Sequence, residues 1–124
     1  MNRILVIDDE LAICATVERI VESLGYAVTI ATNVRAGIEA VRRENFAAAI
    51  VDLCIPDVGG FEAIRALRAR APDMQMIALS DLMPEGPGTP DFLGMASNLH
   101  GVARLGKPIR RDALLDLLPP YRAT

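Results

Sequence analysis

Apolar residues in this chain fall into short unbroken runs, separated by stretches in which they recur every three or four positions. Arg3-Ile4-Leu5-Val6-Ile7 is the first run and reads as a strand buried on both faces. Ile13, Val17, Ile20, Val21 and Leu24 then follow helical spacing, with Asp9 as the expected cap and Gly25 as the stop. Tyr26 to Ile30 is a second strand. Asn33 should cap a helix carrying Ile38 and Val41, and Phe46 to Asp52 is a third strand. A helix over Gly60 to Arg70 is broken by Pro72-Asp73 before a fourth strand, Met74 to Ser80. Residues Asp81 to Pro90, with three prolines and two glycines, predict an irregular loop, followed by a short helix from about Asp91 to Leu99. Val102 to Leu105 is the fifth strand, and Arg110 to Leu118 is a last helix stopped by Pro119-Pro120.

Five strands alternating with five helices predict an α/β fold, a doubly wound (βα)5 domain around a five-stranded parallel sheet with right-handed crossovers, for which the flavodoxin-like order 2-1-3-4-5 is chosen. In that order the first strand lies between the second and third. The fold's crevice then opens between the ends of strands one and three. With 124 residues, the chain is expected to be one domain over 1–124, with no effector domain.

Composition narrows the picture. Hydrophobic residues make up 52% and aromatics only 4%, so the core must be aliphatic. Net charge is −3 and no run of Lys/Arg exceeds a dipeptide, which argues against nucleic acid or an anionic membrane as a partner. No apolar run is long enough to span a bilayer, and the N-terminus lacks a secretion signal, so a cytoplasmic location is expected. Cys14 and Cys54 lack metal-ligand spacing and read as reduced thiols.

Candidate chemistry gathers at strand ends. The first strand runs into Asp8-Asp9-Glu10, the third delivers Asp52, the fourth Ser80 and the fifth Lys107. Carboxylates crowded at one crevice repel one another unless a cation neutralises them, and an all-oxygen donor set suits Mg²⁺. Asp52 is a candidate nucleophile toward phosphorus, Ser80 a hydroxyl donor, and Lys107, the chain's single lysine, a compact positive charge for a phosphoryl oxygen. Taken one at a time these residues have plainer readings: acids favoured at a helix start, a turn hydroxyl, a solvated charge.

In that arrangement the chain resembles the receiver domains of two-component response regulators, including stand-alone single-domain types, over essentially its whole length. Asp8 and Asp9 resemble the Mg²⁺-binding acids and Asp52 the phosphoacceptor. Ser80 resembles the switch hydroxyl, and Lys107-Pro108 the lysine whose following peptide bond is typically cis. Residues Val51 to Glu62 match the acid, proline and glycine pattern around the phosphoacceptor. The resemblance implies a bacterial-type phosphorelay: a histidine kinase or histidine phosphotransfer protein donates the phosphoryl group, Mg²⁺ is held also by the backbone carbonyl of Cys54, and output goes to a downstream protein target. It further implies a signalling domain that assists only its own phosphorylation and dephosphorylation, and it leaves homodimerisation open.

Three positions depart from the pattern. Asp81 follows the switch hydroxyl where a small residue is usual, with Leu82 opening a longer loop, and Arg104 replaces the aromatic switch residue. All three are expected to modulate the site, with Arg104 staying at the surface, paired with Asp81 or Glu85. A pseudo-receiver interaction module is the alternative these departures raise. An aspartate-nucleophile phosphatase would want a second acid where Cys54 stands, and a flavin-phosphate binder would not place three acids after the first strand.

Overall fold

The computed structural model describes residues 2–53, 60–80 and 102–119. Within them β1 (Arg3–Ile7), β2 (Ala27–Ala31), β3 (Ala48–Asp52), β4 (Gln75–Ser80) and β5 (Val102–Gly106) form one parallel sheet in the order β2-β1-β3-β4-β5. The helices are α1 (Leu11–Glu22), α2 (Val34–Arg43), α3 (Gly60–Arg70) and α4 (Arg111–Leu117). The loop and helix expected over 81–99 lie outside the described residues, as do Cys54, Asp81 and Leu82.

Alternation along the strands sends successive side chains to opposite faces, and each face has its own core. Leu5, Ile7, Ala49, Val51, Met76 and Ala78 face α2 and α3, packing with Val34, Ile64 and Leu67. Ile4, Val6, Ile50, Ile77 and Leu79 face α1 and α4, packing with Val17, Ile20, Val21 and Leu114. β1, β3 and β4 are covered on both sides, which is why their sequences are continuous apolar runs.

Element boundaries shift where side chains and backbone part company. Tyr26 is buried but precedes β2, its hydroxyl donating to the Pro119 carbonyl at 2.5 Å. Phe46 and Met74 are likewise core residues placed just before their strands. Asn33 caps α2 as expected, its Oδ1 accepting from the Ala36 N–H at 2.8 Å. Asp9 does not cap α1. The cap position is Glu10, without a side-chain bond, because Asp8 Oδ1 accepts from the Glu10 N–H at 2.9 Å and sets the turn one residue later. Gly25 ends that helical segment with φ 99°, a left-handed conformation that favours glycine.

Candidate functional site

Register alone brings the chosen residues together. Ile7 pairs with Val51, so Asp8 and Asp52 emerge side by side from neighbouring strands. Ser80 pairs with Gly106, which places Lys107 one residue beyond it. Backbone bonds carry this pairing past the strand ends: Asp8 N–H donates to Ala31 O at 3.1 Å, Leu53 N–H to Leu79 O at 2.9 Å, and Lys107 N–H to Ser80 O at 2.8 Å. The Lys107–Pro108 peptide bond is cis.

Ligand oxygens of Asp8, Asp9 and Asp52 all lie within 4.8 Å of one another. Asp8 and Asp52 are buried at 0% and 3% exposure and Ser80 at 1%, while Asp9 is exposed. The Lys107 ammonium reaches into the cluster, 3.3 Å from Asp8 Oδ2, 3.5 Å from Asp52 Oδ2 and 3.7 Å from Glu10 Oε1. Burial alone would lower the pKa of this lysine, but Asp52, Asp8 and Glu10 outweigh it and hold the group above the ordinary lysine value. Glu10 is a partner that sequence spacing did not single out. Its place directly after Asp8-Asp9 was the available signal.

One ammonium among four carboxylates leaves the site short of positive charge. Asp8 Oδ2 is fully buried, and the Lys107 ammonium 3.3 Å away is shared with Asp52 and Glu10. One ammonium cannot neutralise the crowded carboxylates, and a hard divalent cation is the group that offsets the remaining charge. The residues present therefore fit Mg²⁺.

Cys14, on the first turn of α1, donates its thiol to the Asp8 carbonyl at 3.2 Å. It is a free, buried cysteine, and burial together with Asp8 and Asp9 pushes its pKa up to about 11. Arg104 lies exposed on β5, as expected; its expected partners Asp81 and Glu85 are outside the described residues.

Fold and site together define a doubly wound α/β domain with an acidic strand-end centre crossed by one lysine. The chain belongs to the response regulator receiver domain family, whose model matches residues 4–118. It is 32% identical over 115 residues to the acid tolerance regulatory protein ActR of Rhizobium meliloti, covering 93% of this chain and 57% of ActR. The chain thus spans little more than half the length of that relative. Among solved structures, a CheY-like receiver domain protein from Methanospirillum hungatei superposes with a TM-score of 0.81 at 28% identity, covering 94% of this chain and 89% of the other. A response regulator from Burkholderia pseudomallei with a phosphorylated aspartic acid, calcium ion and citrate superposes with a TM-score of 0.78 at 26% identity, covering 96% and 67%. Among the described residues no helix is long and apolar enough to cross a membrane.

Proposed function

We propose that this receiver domain accepts a phosphoryl group on Asp52 from the phosphohistidine of a histidine kinase or phosphotransfer protein, in the cytoplasm, and signals through contact with a downstream protein. The observation that carries this reading is the convergence of three aspartate ligand oxygens within 4.8 Å, with the Lys107 ammonium 3.5 Å from Asp52 Oδ2.

A carboxylate oxygen of Asp52 attacks phosphorus. The P–N bond breaks and its electron pair stays on that imidazole nitrogen; with the donor's other ring nitrogen already carrying its proton, the imidazole leaves as the neutral base. Asp8, Asp9 and the Cys54 carbonyl, with Asp52, would hold Mg²⁺, which supplies charge stabilisation for the phosphoryl oxygens. Lys107 turns its ammonium from the Asp52 carboxylate to a phosphoryl oxygen, a small motion because it already sits between Asp8 and Asp52. Ser80, at the end of the strand beside β3, offers its hydroxyl to another.

Intact-mass measurement after incubation with Mg²⁺ and acetyl phosphate tests the assignment. One phosphoryl adduct is expected for the native chain and none for Asp52→Ala. Lys107→Arg should accept phosphoryl yet fail to transmit its effect, since a planar guanidinium cannot reproduce a point charge held between two carboxylates. An adduct that persists in Asp52→Ala would overturn the nucleophile, and none in the native chain would favour the pseudo-receiver.

A further inference from the structure

Away from the acidic site, α2 and α3 pack side by side over one face of the sheet, and half of the chain's twelve arginines stand on them: Arg35, Arg42, Arg43, Arg65, Arg68 and Arg70. Only Glu39 and Glu62 offset them there. These two helices therefore carry a clear positive excess on a chain whose net charge is −3.

Between the helices runs a cavity of about 390 Å³, lined by Val34, Arg35, Ile38, Glu39 and Arg42 from α2 and by Glu62 and Ala66 from α3. None of these residues belongs to the acidic site. Val34 is buried, and Ile38 and Ala66 are half-buried, so the floor is aliphatic. Arg35 and Arg42 stand exposed along one wall, seven residues or about 10.5 Å apart at the rise of an α-helix.

Arg35 is the telling residue. A cation in the first turn of a helix opposes the macrodipole, and the first turn of α2 contains no acid to offset it. Arg35 forms no ion pair among the described residues. The Arg42 to Glu39 and Arg65 to Glu62 pairs, at 3.8 and 3.7 Å, are long and exposed, and a better-placed carboxylate would displace them.

We propose that the groove between α2 and α3 docks an acidic amphipathic helix of a partner protein. Aliphatic side chains of that helix seat on Val34, Ile38 and Ala66, and its carboxylates meet Arg35 and Arg42. Charge complementarity selects the occupant, and the aliphatic floor, with no aromatic among the described lining residues, suits a protein helix better than stacked bases.

The test is a titration of the full chain, followed by amide chemical shifts, with a synthetic helical peptide carrying leucine at three- and four-residue spacing and glutamate between. Shifts should centre on 34–42 and 62–66. Arg35→Glu with Arg42→Glu should weaken binding about tenfold. Glu39→Gln with Glu62→Gln should tighten it severalfold. Arg111→Glu, on the opposite face of the sheet, should leave it unchanged. These positions are on exposed or half-buried helix surface, so unchanged thermal melting separates lost binding from lost folding. The proposal is overturned if a glutamine version of the peptide binds equally well, if shifts centre elsewhere, or if a DNA oligonucleotide of matched charge binds the same residues more tightly. Self-association that the double charge reversal abolishes would also overturn it, assigning the groove to a second copy.

Discussion

Lys107 shows what one residue can decide. It is the single lysine among thirteen basic residues, and its ammonium touches three carboxylates from two different segments. Arginine elsewhere serves exposed pairs, where a fork of donors is useful; here a compact charge must fit between Asp8 and Asp52. Cys14 sits beneath the same cluster and yields a pH prediction. Its thiol ionises near 11 when folded, against an ordinary value of 9.0. Folding therefore binds this proton more tightly. Its contribution to stability is complete below pH 9 and is lost as pH rises from 9 toward 11. Denaturant titrations across that range, in a Cys54→Ser background, should show a steeper loss for the chain with Cys14 than for Cys14→Ala, whatever the offset between the two at neutral pH. Equal slopes would mean that the folded thiol ionises normally.

At the scale of elements, α2 approaches β1 so closely that only glycine fits at position 37. A Cβ built there would lie 2.3 Å from Ile7 Cδ1 and 2.8 Å from its Cγ1, and Ile7 is fully buried. Gly37→Ala should therefore destabilise the domain. Overpacking of this kind costs about 1–3 kcal/mol, which exceeds or cancels the ~1 kcal/mol that alanine contributes as a helix former. Combined with Ile7→Ala, the same substitution should turn stabilising, and a double-mutant cycle on urea melts measures that coupling. Additivity would show that the contact is not what constrains Gly37. Helical periodicity marks Ile38 and Val41 but is silent on Gly37, because a missing side chain carries no pattern; only the approach of two elements reveals its use.

For the molecule as a whole, the two cores and the sheet register hold Asp8 and Asp52 buried against each other, so folding without a metal stores repulsion at one end of the sheet. A bound divalent cation should offset it. At a hundredfold excess of Mg²⁺ over its Kd, mass action stabilises the folded state by about 2.7 kcal/mol. Thermal melting should rise by several degrees. Asp9→Ala should abolish that rise without unfolding the chain, since Asp9 is exposed and does not cap α1. An undiminished rise in this variant, followed by differential scanning fluorimetry, would place the metal elsewhere.

Strand-end chemistry was legible from the chain alone because buried parallel strands are continuous apolar runs, and the residue that ends each run must surface at the same edge of the sheet. Asp8, Asp52, Ser80 and Lys107 are readable for that reason; alternating elements and right-handed crossovers imply a doubly wound sheet, while the order 2-1-3-4-5 was a choice among such orders that strand pairing bears out. Boundaries were less legible at Tyr26, Phe46 and Met74, whose side chains are core while their backbone lies before the strand. Hydrophobicity reports burial, not hydrogen bonding. Distances were beyond reach altogether: that Glu10 shares Lys107 with Asp8 and Asp52, and that Cys14 bonds the Asp8 carbonyl. The arginines follow the same rule. Scattered singly and in two pairs along the chain, they dilute into a net charge of −3, and only the packing of α2 against α3 brings six of them onto neighbouring helices. Sequence order determines which residues end an element; contact between elements far apart in the chain decides what those residues meet.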